Sequence, residues 1–264
     1  MPPAFSTIRA DSLHHHLLLA QVQRLRGRIY VQDGAIDRAY LSADFRHVQY
    51  VDDESWHLIV LDREKRVGGC VRYCPHKDGA PASALGVFDS ALAHSDIWGD
   101  KLRRAIESDL ECARRRHIEF LELGGWALSE QLRSTTEALR MTLSIYGFAR
   151  MLGGALGIGT ATTRHQSSSI LRKIGGQSLT ADGMELPPYY DPQYNCEMEV
   201  LRFDSAAPNP RYEGWIEECR AQLTTVLVVC DNSADQSWRT SFQRLRTAAA
   251  GEAERVPELI ADVA

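Results

Sequence analysis

The sequence predicts a mixed α and β fold, and three observations carry that reading. Leu18, Val22, Leu25 and Ile29 recur at helical spacing. Trp56 to Leu61 and Val67 to Cys74 are short apolar runs joined by Asp62-Arg63-Glu64-Lys65-Arg66, a link charged enough to be a solvated turn, so the two read as a β-hairpin. Downstream, helical and strand patterns follow one another without an internal repeat.

Taken in order, the first helix carries Arg24, Arg26 and Arg28 on the faces away from its apolar stripe. After the hairpin, residues 75 to 99 show no period and contain Pro75, Gly79, Pro81 and Gly86; a long irregular loop of this kind is usually functional or mobile. A second helix runs from Asp100 to about Arg116, with Leu102, Ile106, Leu110 and Ala113 on one side, and feeds the strand His117 to Leu123. A third begins with the capping box Ser134-Thr135-Thr136-Glu137 and ends at Gly153-Gly154. Then come a small-residue strand, Leu156 to Thr163, and a short helix, Ser167 to Ile174. A loop with Pro187-Pro188-Tyr189-Tyr190 leads to the alternating strand Cys196 to Phe203. Tyr212, Trp215, Ile216, Cys219 and Leu223 form an amphipathic helix, and the last 30 residues look peripheral. The expected organisation is one domain over 1–205 with a helical extension, 206–264, packed on it.

Composition bounds the function. The 264 residues are 44% hydrophobic and 25% charged, enough to bury a sizeable core. A net charge of −5, with no basic block longer than Arg114-Arg115-Arg116, argues against nucleic acid as the main partner. No apolar run approaches the ~20 residues that span a bilayer, and the N-terminus lacks a signal-peptide pattern, so a cytoplasmic protein is expected. Six scattered cysteines among apolar neighbours read as reduced core residues.

The order helix, hairpin, long loop, helix, strand, helix, strand, helix, strand resembles the GNAT acyltransferase fold, a central mixed twisted sheet flanked by helices. The residues resemble its acyl-homoserine lactone synthase and N-acyl amino acid synthase branch most. An arginine-rich helix leads into Arg28-Ile29-Tyr30-Val31, and an acidic turn precedes a strand in Asp52-Asp53-Glu54-Ser55-Trp56. A Gly-x-x-Arg strand follows in Gly69-Cys70-Val71-Arg72, and a glutamate ends a strand in Phe120-Leu121-Glu122-Leu123. The match spans roughly 18 to 204, and order and spacing give it its force. It departs from the branch at Gly124-Gly125, where the synthases place a Ser-Arg pair. It departs from the coenzyme A enzymes at Leu132-Arg133-Ser134-Thr135-Thr136, which stands where they carry a Gln/Arg-x-x-Gly-x-Gly loop. The general-acid tyrosine of many superfamily members is replaced by Leu171-Arg172.

The resemblance implies an N-acyltransferase that moves a fatty acyl group from an acyl carrier protein or coenzyme A thioester to the amine of a small acceptor such as an amino acid. No permanently bound cofactor is implied, and acyl-CoA or acyl-phosphopantetheine serves as donor co-substrate. The other reading is a catalytically silent protein of this fold that binds or senses acyl carrier or acyl-CoA. Glu122 shares strand parity with Ile118 and Phe120, so its carboxylate points where apolar side chains point; desolvation there would suit a general base, and a structural carboxylate is the bland alternative. Arg72 lies in an apolar strand and must meet an anion: a substrate carboxylate, Glu122 or Asp52.

Arg164-His165 ends the small-residue strand where a thioester would lie, which makes His165 the next candidate base and Arg164, with Asp52 and Tyr30, a substrate contact; a helix-capping strand end is the alternative. Gly124, Gly125 and Trp126 would hold the donor near the oxyanion. Arg133, Ser134 and Thr135, at a helix N-terminus, would meet its phosphate; a solvated side chain is the alternative for Arg133. Arg24, Arg26 and Arg28 would dock an acidic carrier, or form a solvated face. Cys70-x-x-x-Cys74-x-His76 lacks the spacing of a zinc ribbon or finger, and His14-His15-His16 reads as a surface cluster, so no metal site is assigned. No Gly-x-Ser-x-Gly elbow supports a hydrolase.

Overall fold

The computed structural model describes residues 11–77, 79–133 and 135–231. Nine strands are found there: β1 (Trp56–Leu61), β2 (Val67–Pro75), β3 (Glu119–Leu128), β4 (Ala155–Thr162), β5 (Gln177–Ser178), β6 (Thr180–Ala181), β7 (Met184–Glu185), β8 (Tyr189–Asp191) and β9 (Cys196–Asp204). Seven form one sheet in the order β1-β2-β3-β4-β9-β5, with β8 also on β9, while β6 and β7 make a small hairpin. Within the large sheet β3 and β4 run parallel and the other pairs antiparallel. The helix α3 (Thr136–Met151) supplies the crossover between β3 and β4 that a parallel pair requires.

Helices cover both faces. On one face, Leu18, Val22, Leu25 and Ile29 of α1 (Ser12–Gln32) pack on Val67, Cys70 and Ala127. On the same face, Leu102, Ile106, Leu110 and Ala113 of α2 (Gly99–Arg116) pack on Phe120, Leu156, Ile158 and Val200. The opposite face takes Met141, Ile145 and Phe148 of α3 against Val71, Tyr73 and Leu121. The side chains of α4 (Ser167–Lys173) and α5 (Glu213–Leu223) join them over Ala161, Leu201 and Phe203. On α3, Gly147 gives α5 its seat, since a Cβ there would lie 2.9 Å from the Arg220 backbone nitrogen.

The structure corrects several sequence expectations. The α3 cap is Thr135, whose side chain accepts from the Glu137 N–H at 3.2 Å, one residue later than the capping box implied, because the chain from Ser129 is still turning. The strand through Glu122 runs on to Leu128: Gly124 and Gly125 look like a break but only bend it. Tyr189 and Tyr190 belong to β8 rather than to a loop. The long loop contains two short 3₁₀ turns, Ala82–Ala84 and Gly86–Asp89, and its Val87 and Leu92 enter the core. His15, placed on the surface by its neighbours, is buried. Among the described residues no helix is long and apolar enough to cross a membrane.

Candidate functional site

The site begins where two parallel strands part. β3 and β4 pair from Glu119 opposite Ala155 to Leu123 opposite Gly159 and no further, although β3 continues to Leu128 and β4 to Thr162. The cause is a bulge in β3. Gly124 faces Arg72 and Ala127 faces Cys70, so Gly125 and Trp126 together oppose the single residue Val71. Gly125 takes φ +62°, a left-handed conformation open to glycine at little cost, and the extra residue bends β3 away from its neighbour. The opening is a cleft of about 1120 Å³, lined by Glu122 to Leu128, Gly159 to Thr162, α3 and the loop residues 47–51. The two strands thus part beyond Leu123 and Gly159.

Glu122 stands on the cleft wall just before the bulge. It shares the face of Phe120, as parity required, and is partly buried. Its Oε2 accepts the backbone N–H of Gly86 at 2.7 Å. Burial pushes its carboxyl above the ordinary value, and the Gly86 amide and the Arg72 charge only partly oppose this. A carboxylate so placed binds a proton more readily than an exposed glutamate does.

Beside it lies a buried charge network. Arg26 is 0% exposed and grips Asp52 with both terminal nitrogens, at 2.8 and 2.6 Å. Asp52 also accepts from Gln23 Nε2, from the Gln49 N–H and from Arg72 Nη1 at 3.1 Å. Burial alone would raise the Asp52 carboxyl, but the Arg26 hydrogen bonds and the Arg26 and Arg72 charges outweigh it and hold the group far below the usual carboxylate range. Arg72 completes its own contacts on Gln49 Oε1 at 2.6 Å. Of the anions expected for Arg72, Asp52 is the one it binds. Arg26 is consumed inside the protein, so the three-arginine docking face does not exist; Arg24 pairs with Asp44 and Arg28 is exposed.

The remaining predicted residues divide. Tyr30 and Trp126 line the cleft together, the Tyr30 hydroxyl donating to the Trp126 carbonyl at 3.4 Å. Asp52 is too enclosed to reach a substrate directly, at 2% exposure. Arg133 lines the cleft, but its guanidinium clasps Asp33 through two hydrogen bonds, of 3.0 and 2.6 Å, rather than standing open for phosphate. Arg164 likewise donates to the carbonyls of Asp33 and Asn195, both at 2.6 Å, and so fastens two loops. Thr135 lines the cleft beside them. Ser134 and the His165 side chain lie outside the described residues.

Sequence reasoning missed the contributions of Gly86, His47, Gln49 and Tyr194. All four line the cleft. His47 Nε2, Arg72 Nε and Trp126 Nε1 are buried with no protein hydrogen-bond partner, which leaves polar atoms on cleft-lining residues for a ligand or water to satisfy. Tyr194, from the β8–β9 connection, feels the charges of Arg72, Asp191 and Glu122. No local pattern marks these residues; Gln49 alone stands next to the acidic turn that the sequence had singled out.

No protein-family model matches the chain, and no curated protein sequence does either. Among solved structures, a CoA-dependent acyl-homoserine lactone synthase, BjaI, with SAM and isopentyl-CoA superposes with a TM-score of 0.53 at 16% identity, covering 89% of this chain and 94% of that one. The fold is GNAT-like. The same synthase with MTA gives a TM-score of 0.53 at 16% identity over 90% of this chain and 97% of that one. FeeM, an N-acyl amino acid synthase from uncultured soil microbes, superposes at a TM-score of 0.44 and 12% identity over 70% of this chain and 90% of that one. At 16% identity the likeness to BjaI is one of fold.

Proposed function

We propose that this protein is an N-acyltransferase that moves a fatty acyl group from a coenzyme A or acyl carrier thioester to the amine of a small acceptor such as an amino acid. The observation that supports it best is Glu122: a partly buried carboxylate with a raised pKa on the wall of a cleft opened between two parting parallel strands. The pantetheine arm would lie along the strand edges freed beyond Leu123 and Gly159. Glu122 takes a proton from the acceptor ammonium, directly or through water, and the free amine attacks the thioester carbonyl. Backbone N–H groups near Gly124 and Gly125 hold the oxyanion until it collapses to the amide, the attacking nitrogen giving up its second proton and the departing thiolate taking one up to leave as the thiol. Arg72, held through Nη1 by Asp52 and Gln49, has the other end of its guanidinium, Nη2, to orient the acceptor carboxylate.

The test is native mass spectrometry for a co-purifying acyl species, then release of free thiol from acyl-CoA with a panel of amino acids. Amine-dependent thiol release that falls at least a hundredfold in Glu122→Gln supports the proposal. Acyl-CoA binding without thiol release for any amine would make the protein a silent binder instead.

A further inference from the structure

Far from the cleft, three potential metal ligands from distant parts of the sequence meet at the start of α1. The Asp11 backbone N–H bonds the Cys230 carbonyl at 3.0 Å, which brings residues 228–231 against the first helical turn, and Val228, Val229 and Cys230 are buried. In that turn His15 is 1% exposed, and the His16 ring stands nearly perpendicular to it with centroids 5.6 Å apart. His16 Nε2 lies 3.4 Å from Asp231 Oδ2, and one ligand atom from each of His15, His16 and Asp231 falls within 4.8 Å of the others.

We propose that His15, His16 and Asp231 form a transition-metal site, best suited to zinc, that ties the segment ending at Asp231 to α1. Two imidazole nitrogens and one carboxylate oxygen are a zinc donor set, with water free to take the fourth position. The same set takes cobalt, nickel or copper, so the chemistry fixes the class of ion more firmly than the element. Tetrahedral ligands bonded at about 2.0–2.2 Å stand about 3.3–3.6 Å apart, so the His16–Asp231 edge already has the right length. The remaining ligand atoms, within 4.8 Å of one another, close to that separation by side-chain rotation when the ion binds. Asp231 cancels one of the two positive charges. His14, although part of the same run, is engaged differently: its ring faces Asp11 at 4.0 Å, and Asp11 caps the helix by accepting the His14 N–H. None of the three ligands lines the cleft, so the site stands apart from the proposed acyl transfer.

The experiment is calorimetric titration of the tag-free, EDTA-treated full chain with zinc chloride, together with visible absorption after adding cobalt(II). One ion per chain is expected, with tetrahedral cobalt bands and a melting temperature raised by about 5 °C at a hundredfold excess over Kd. His16→Ala and Asp231→Asn, each with an unchanged circular dichroism spectrum, should weaken binding at least tenfold and remove the shift, whereas His14→Ala should do neither. Absence of saturable one-to-one binding would overturn the proposal. So would binding that survives Asp231→Asn, since it would belong to the histidine run alone.

Discussion

The Gly86 N–H meets Glu122 Oε2 at 2.7 Å, so the carboxylate at the mouth of the strand opening is held by a backbone amide and not by a guanidinium. This decides what Glu122→Gln does. Glutamine keeps an oxygen for Gly86 but cannot take a proton, so turnover should fall about 10²- to 10⁴-fold. A group whose folded pKa is raised loses stability as pH climbs through its unfolded value, because ionisation favours the unfolded chain. The substitution should therefore leave the melting temperature at pH 7 unchanged or slightly higher, with the difference vanishing near pH 4. The acid limb of the wild-type rate profile should lie above the ordinary glutamate value and be missing from the residual activity of the variant. Near-normal turnover with a clearly lower melting temperature would make Glu122 structural.

Asp52→Asn tests the charge network. It leaves Arg26, 0% exposed, without its anion, and breaking a buried pair in this way costs about 3–5 kcal/mol, or roughly 6–20 °C in melting temperature. The Asp52 pKa is depressed, so its stabilisation is present above the unfolded carboxylate value and lost as pH falls below it. The gap between variant and wild type should accordingly narrow below about pH 4. Arg24→Ala, at an exposed pair, should change stability by less than ~1 kcal/mol. Equal losses from Asp52→Asn and Arg24→Ala would contradict the network's role.

These contrasts show what could be read from sequence. Strand parity placed Glu122 correctly because β3 is regular up to Leu123, and apolar spacing found α1 because its stripe is buried. Parity does not extend past Gly124, since a bulge shifts every later residue to the other face: Ala127, not Trp126, joins Cys70 beneath α1. The fates of Arg26, Arg133 and Arg164 were invisible because their partners Asp52, Asp33 and Asn195 are brought to them only by tertiary folding. A surface arginine and a buried one look alike in sequence.

The bulge itself can be tested by comparing two adjacent glycines. A Cβ at Gly124 would meet Arg72 Nη2 at 3.2 Å, the far end of a flexible side chain. At Gly125 it would meet Arg26 Nη1 at 3.2 Å, a guanidinium locked on Asp52, on a backbone already at φ +62°. Gly124→Ala should therefore retain the fold and impair turnover by displacing Arg72. Gly125→Ala should lower stability by about 1–3 kcal/mol as well. Urea unfolding of the two variants checks the order, and a larger loss at Gly124 would mean that the strain lies elsewhere.

Acid sensitivity should begin with two histidines. His57 is 1% exposed and held at about 3, and His47 is 7% exposed and held at about 4; burial is the largest cause in each, and the Arg26 charge adds to it. In the unfolded chain both titrate near 6.5. Between these values the unfolded state binds more protons than the folded one, so stability is full above about pH 6.5 and lost as pH falls, by up to ~1.4 kcal/mol per pH unit for each histidine. The carboxylate of Asp52 joins only below its own unfolded value, so the first loss belongs to the imidazoles. Urea midpoints measured from pH 7.5 to 4.5 should decline with a slope below two protons, because the raised Glu122 carboxyl protonates first in the folded state and offsets part of the loss. His47→Gln should remove about half of the imidazole contribution. A midpoint constant from pH 7.5 to 5 would show that these rings accept protons without leaving their sites.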